Sequence, residues 1–289
     1  MITRYLTDCR WQVGARGAAP RLISVLLLAL APLCSGSTMA IAADSLYRAQ
    51  AVVTGQGEPN RMIGFGVCLE DVLIQVSGAQ KLAGDPRLSA YKAKASDYVR
   101  AYSYHDQMAG TPTRDEQGTR DRPYDLNVEF DEGKVDELLR ALGLNPWLSH
   151  RPVLAVFVEM EQGTRKYMVT SDARQSELQR ESLLGAATKR GMSIVLPSSA
   201  ALDKLGITRA EASTAAFSQP ASAASELGGE VALAGHLVWS DQELGWATEW
   251  QIDWQGRQHR WRLRGVTFDE AFRRGLGGAA QILSDNGEP

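Results

Sequence analysis

The sharpest pattern of apolar and polar positions lies near the C-terminal end of the chain. Trp246, Thr248, Trp250, Ile252 and Trp254 fall on one face of an extended segment, with Ala247, Glu249, Gln251 and Asp253 on the other. Gln255-Gly256 then offers a turn, and His259, Trp261 and Leu263 alternate with Gln258, Arg260, Arg262 and Arg264. Period-two alternation on both sides of a glycine turn predicts an antiparallel hairpin. The same periodicity predicts strands over 46–53, 99–104 and 124–130; in the last, Tyr124, Leu126, Val128 and Phe130 share a face. Residues 153–158 are almost continuously apolar, as expected of a strand buried on both faces. Residues 165–170 return as a hairpin around Gly163, and shorter or apolar strands are expected over 193–196 and 231–239.

Helical spacing fills most of the remainder. Met62, Phe65, Leu69, Val72, Leu73 and Val76 draw one stripe on a helix that Glu58-Pro59 opens and Ser77-Gly78 ends. Gly64 and Gly66 weaken that helix, so close packing against a neighbour is expected to motivate them. Val135, Leu138, Leu139 and Leu142 make a second stripe, with Asp131 as its N-cap and Gly143 as its stop. A short polar helix near 88–98, a helix over 173–190 closed by Gly191, and weak Ala/Ser-rich helices near 199–205 and 220–227 follow the same rules. The last helix, 268–283, presents Phe268, Phe272, Leu276, Ala279 and Leu283. Residues 106–123, rich in Gly, Pro, Thr, Asp and Arg, are expected to form a mobile loop.

These elements predict an α/β (α+β) protein. Asn145-Pro146-Trp147 to Arg151-Pro152 is the natural joint between an N-terminal α/β domain, 44–145, and a C-terminal one, 150–284, whose mixed sheet ends in the tryptophan-rich hairpin.

The first 43 residues read differently. Arg4, Arg10, Arg16 and Arg21 stand against a single Asp8, an apolar run of about 12 residues follows, and Ala40-Ile41-Ala42 fits a small-residue cleavage site. The run falls short of the roughly 20 residues of a membrane span. A lipid anchor on Cys34 would place bulky Leu33 where a small residue is wanted. The expectation is a cleaved export signal and a periplasmic protein, with an uncleaved anchor or a lipoprotein as alternatives and no integral membrane segment after cleavage. The net charge of −3 becomes more negative once the leader's arginines leave, which argues against nucleic acid as a partner. Of three cysteines only Cys68 would remain, on the apolar stripe of a helix, so it is expected to be a buried small hydrophobe. The four histidines are not spaced for a metal site, and no cofactor is expected.

Several motifs taken together look familiar: Arg61-x-x-Gly-x-x-x-Cys-Leu-x-x-Val-Leu-x-x-Val-Ser-Gly78, Val128-x-Phe-Asp131, Trp147-x-x-x-Arg-Pro152 and Gly245-Trp246. This ordered set, spread over about 46–280, resembles the domain-of-unknown-function family 2066 of exported proteobacterial proteins. Gly64 and Cys68 depart from it, standing where alanines are expected. The resemblance implies location and fold and offers no catalytic residues. The second half is similar in element order to the N-terminal α/β domain of the Tol-system propeller protein, which implies an adapter or assembly role by analogy of fold.

Candidate chemistry is sparse. Ser89-Ala-Tyr-Lys92 has the spacing of a penicillin-binding serine and its lysine, but no Lys-Thr-Gly follows. The carboxylate pairs Glu70-Asp71, Asp131-Glu132 and Asp136-Glu137 are adjacent in sequence, whereas glycosidase carboxylates must face each other across a cleft. Gly55-Gln-Gly57 lacks the rest of a phosphate loop and reads as a turn. Trp246, Trp250 and Trp254 are core if the last helix covers them and a binding platform if it does not; Trp147 and Arg151 are either an exposed anchor pair or the packing of the joint. The expected function is a non-enzymatic module that binds another envelope protein. A periplasmic hydrolase acting on peptidoglycan or a related glycan, and a small-ligand binder using the tryptophan face, are the rivals.

Overall fold

Strand β1 (Arg48–Thr54) pairs antiparallel with β3 (Pro123–Phe130), and β3 pairs antiparallel with β2 (Val99–Asp106), giving a three-stranded sheet of order β1-β3-β2. The computed structural model describes residues 46–110, 122–207 and 220–289; most of the expected loop at 106–123 lies outside them. Helix α1 (Glu58–Ser77) covers the inner face of this sheet. Pro59 sits in its first turn, and Gly78, at φ 74°, turns the chain out of it in the left-handed conformation that glycine tolerates. The expectation for Gly64 holds: a Cβ there would lie 2.6 Å from Leu126 Cδ2 and 2.8 Å from Val53 Cγ1, so the glycine lets helix and sheet meet. Helix α3 (Glu132–Ala141) is capped by Asp131, whose Oδ1 accepts from Lys134 N at 3.0 Å.

The polar segment near 88–98 is not one helix. It forms a 3₁₀ turn (Pro86–Leu88), a single α-turn α2 (Ser89–Lys92) and another 3₁₀ turn (Ala95–Tyr98). Leu88 and Ala95 are its only buried residues, so no continuous stripe exists to hold a longer helix against the core.

The second sheet runs β5-β4-β7-β8-β9, with β6 (Ile194–Val195) beside β4. Central β4 (Leu154–Gln162) pairs antiparallel with β5 (Arg165–Met168) and parallel with β7 (Val231–Ser240). The tryptophan-rich hairpin follows: β8 (Gly245–Trp254) and β9 (Arg257–Val266), turning at Gln255 (φ 50°) and Gly256 (φ 75°), the two positive-φ positions of a tight hairpin turn. The class is therefore mixed α/β, one sheet wholly antiparallel and the other mixed.

Each face of the second sheet meets different helices. One face packs against α4 (Glu177–Lys189) and the C-terminal α7 (Phe268–Leu283). The other is covered toward one end by α5 (Ser199–Lys204) and α6 (Pro220–Glu226), around Ala155, Phe157 and Ala232. The first sheet has a separate apolar cluster under α1 and α3, and all described elements belong to one compact unit, Ala40–Pro289.

Candidate functional site

The tryptophan stripe is interior. Trp250 is 0% and Trp246 7% exposed, Trp254 is half-buried, and Phe272 of α7 meets Trp250 edge-on at 6.4 Å between ring centroids. Three glycines make the slot. A Cβ on Gly235, the residue paired with Trp250 across β7 and β8, would come within 2.6 Å of the indole; one on Gly275 of α7 would overlap it; one on Gly278 would crowd Trp261 at 2.7 Å. The last helix covers Trp246 and Trp250, and Trp254 at the end of the strand stays half-buried.

The joint is also packed. Trp147 is 8% exposed, and the Arg151 guanidinium lies over its ring, 4.3 Å from the centroid. That guanidinium donates to five carbonyls: Gln75 O (2.9 Å), Val76 O (3.2 Å), Trp147 O (2.9 Å), Arg190 O (3.2 Å) and Gly191 O (3.2 Å). Gln75 and Val76 end α1, while Arg190 and Gly191 follow α4, so the negative ends of two helix dipoles converge on one cation. Burial lowers the Arg151 pKa to about 10, which leaves it charged at neutral pH. Nearby, Arg190 is also buried, its Nη1 3.6 Å from Asp71 Oδ1, and its pKa too is pushed down by burial. Two further hydrogen bonds cross the same seam: Lys81 N to Gln281 Oε1 (2.8 Å) and Asn286 Nδ2 to Ser77 O (2.9 Å).

Among the described residues, the far half of the second sheet is covered least, on the face that α5 and α6 meet only in part. Strand register sets Glu159, His236, Glu249 and Arg262 in one row across β4, β7, β8 and β9, and puts Lys166 of β5 opposite Glu161. Lys166 Nζ lies 3.0 Å from Glu159 Oε1 and 3.7 Å from Glu161 Oε2. His236 Nε2 lies 3.8 Å from Glu159 Oε2 and 3.6 Å from Glu161 Oε2. Arg262 grips Glu249 Oε2 through Nε (2.9 Å) and Nη2 (2.8 Å). A cleft of about 240 Å³ opens here, lined in part by His236, Val238, Glu249, Arg262 and Arg264. Glu159 is 2% exposed, and neither of its oxygens receives a well-formed hydrogen bond among the described residues. Its carboxylate holds the Lys166 ammonium above the usual lysine range.

Sequence reasoning missed Glu159 and His236. Strand β4 was expected to stop at Val158, but it runs on to Gln162 and carries Glu159 inward. A histidine inside the apolar run of β7 was the available signal.

The other candidate motifs resolve into structure. The Lys92 ammonium of the Ser-x-x-Lys pattern pairs with the Glu70 carboxylate. Asp131 caps α3, and Asp136 accepts from Tyr47 Oη at 2.8 Å. Among the described residues, no group of three or more His, Cys, Asp or Glu side chains is placed to hold a metal ion. Cys68 is fully buried, and burial raises its thiol pKa to about 12. A thiol reagent at pH 8 is therefore expected to leave Cys68 unmodified in the native protein and to label it on denaturation; native-state labelling at the rate of a free thiol would contradict this burial.

Residues 40–148 match the model of a family described as a domain of unknown function (DUF8605). The match covers the first sheet with its helices and ends at the joint. It overturns the resemblance to family 2066, because the stretch carrying most of those motifs matches a different family. The motif residues are packing residues: the glycine where α1 meets β1 and β3, the apolar stripe of α1 and the cap of α3. Unrelated α/β lobes can meet the same packing demands with the same residue types. Nothing in the comparisons supports the likeness of the second half to the Tol-system domain, which rested on element order alone. No curated protein matches the chain.

Proposed function

We propose that the chain is exported and works in the cell envelope as a non-enzymatic module that docks another protein. Its docking surface is the open, charged half of the second sheet. The observation that carries this is the row from His236 through Glu249 to Arg262, with buried Glu159 behind it and its cleft, on a face that the described residues of α5 and α6 cover only in part. Of the aromatic residues that could have formed a binding platform, Trp147, Trp246 and Trp250 are buried and Trp254 is half-buried. Alternating charge on a rigid sheet selects a partner by complementarity and penalises wrong ones. The acidic and basic groups here sit beside each other as pairs: Glu159 and Glu161 share one strand face with Lys166 and His236 against them. Two carboxylates facing each other across a substrate, the arrangement glycan hydrolysis needs, are not what this row provides. Export rests on the leader read in residues 1–43. Among the described residues no helix is long and apolar enough to cross a membrane.

Pulldown from crosslinked cells tests the reading. The wild-type chain is expected to enrich an envelope protein, and Arg262→Glu to reduce its recovery by about tenfold or more, since a like charge then faces Glu249. The processed chain should appear in the periplasmic fraction. Enrichment unchanged by Arg262→Glu, or unprocessed full-length chain in the cytoplasm, would contradict the proposal.

A further inference from the structure

The edges of the two sheets are protected unequally. Strand β9 closes the second sheet with Arg257, Arg260, Arg262 and Arg264 along it, charged side chains of the kind that discourage strand addition. Strand β2 closes the first sheet with its charged residues, Arg100 and Asp106, only toward its two ends, and carries neither lysine nor proline. Among the described residues nothing pairs with its outer side. It is eight residues long and mostly exposed; Tyr102, 48% exposed, meets Phe65 of α1 edge-on on one side and Tyr104 on the other, in a row that continues to Tyr124, with the Arg61 guanidinium over its ring.

The sequence of β2 is complementary to itself. Read about Ser103, the run Arg100-Ala-Tyr-Ser-Tyr-His-Asp106 sets Arg100 against Asp106, Ala101 against His105 and Tyr102 against Tyr104. Strand β1, the opposite edge, has no such symmetry: about its centre, Arg48 would meet Thr54. Antiparallel pairing of two identical strands obeys a two-fold axis, so every favourable pair occurs twice. Cross-strand aromatic pairs and opposite charges each contribute about 0.2–1 kcal/mol. Two features oppose pairing: Asp106 is already paired within the chain, with Arg122 at 3.2 Å, and the other end of the strand is bulged. The β2–β3 register shifts between Val99 and Ala101, so Arg100 stands at a bulge, with its guanidinium 3.3 Å from Glu129. It lies at the end of the self-complementary run and leaves the central stretch around Ser103 in regular register.

We propose that two copies of this chain pair through their β2 edges, antiparallel and centred on Ser103, making one continuous six-stranded sheet. The partner is a second copy because the charge and aromatic pattern of β2 matches itself. This surface is on the other sheet from the charged docking row, so the two readings stand or fall separately.

Cysteine crosslinking in the full chain tests it, with Cys9→Ser and Cys34→Ser in every variant and buried Cys68 retained. At the two-fold axis the Ser103→Cys thiols face each other at a Cα separation of about 4.5–5.5 Å, within disulfide range. For Ala101→Cys the separation is about 14 Å, out of reach. Mild oxidation is expected to give at least about tenfold more disulfide dimer from Ser103→Cys than from Ala101→Cys. Light scattering should give a dimer mass for the wild type and a monomer mass for Ser103→Lys with unchanged circular dichroism, because like charges then meet at the axis. A wild type that stays monomeric at 100 µM, equal crosslinking from both positions, or a folded Ser103→Lys dimer would overturn the proposal.

Discussion

Gly275→Val is expected to unfold the second sheet's core, lowering stability by about 3 kcal/mol or more in urea titration. Even a Cβ at residue 275 overlaps the Trp250 indole, and that ring has nowhere to retreat. Gly235 backs it on the sheet side, Phe272 meets its edge, and it is 0% exposed. Overpacking a closed core typically costs about 1–3 kcal/mol and more where backbone must move. Here the backbone of α7 would have to lift, and α7 also holds Gln281 against Lys81 N at 2.8 Å, so the seam with the first sheet weakens too. A second variant separates overlap from helix propensity. Trp250→Leu alone leaves a cavity costing about 2–5 kcal/mol. Combined with Gly275→Val it should cost less than the sum of the two singles, because the valine fills part of the space. Additive costs would show that Gly275 and Trp250 do not meet.

Arg151→Met should destabilise the protein by about 3–5 kcal/mol, the usual cost of removing one partner from a buried charged network. Five carbonyls lose a hydrogen bond: Gln75 and Val76 at the end of α1, Trp147 at the joint, Arg190 and Gly191 after α4; Val76 O keeps the Trp147 N–H at 2.8 Å, and the other four lose the bond from Arg151. A buried carbonyl left unpaired costs about 1–3 kcal/mol, and water reaching some of them keeps the total below a simple sum. Arg151→Lys is expected to recover little. An ammonium keeps the charge, but it lacks the planar fork that reaches both helix ends while stacking on Trp147. Separate unfolding of the two lobes is the distinguishing sign: in Arg151→Met, tryptophan fluorescence and far-ultraviolet dichroism should report different midpoints, because most tryptophans lie in the second lobe. Lysine performing as well as arginine would show that charge alone, without the fork, holds the joint.

The hairpin was legible because its signal is local. Alternation over ten residues on either side of Gln255-Gly256 fixes strand, turn and facing together, and the spacing of Phe268, Phe272 and Leu276 placed the covering helix. Which reading of the tryptophans applied was not legible, since it depends on whether α7 lies across them. The slot that settles it comes from glycines, which leave no mark in an apolar pattern. The charged row was hidden for a related reason. Glu159 and His236 are 77 residues apart and become neighbours only through the parallel pairing of β4 with β7. Arg151 was noticed as a candidate anchor, but its partners are backbone carbonyls at helix ends, and no residue type announces those. The segment 88–98 misled because its polar residues are compatible with a helix, while its two buried side chains are too few to hold one.

The account turns on which face of the second sheet meets a partner. A photoreactive residue placed at Arg262, at Lys166, or at Leu178 on α4 across the sheet, followed by illumination of intact cells, reads this out directly. Discrete adducts to one envelope protein from 262 and 166, and none from 178, are the expected result. Adducts from 178 with none from 262 and 166 would contradict it.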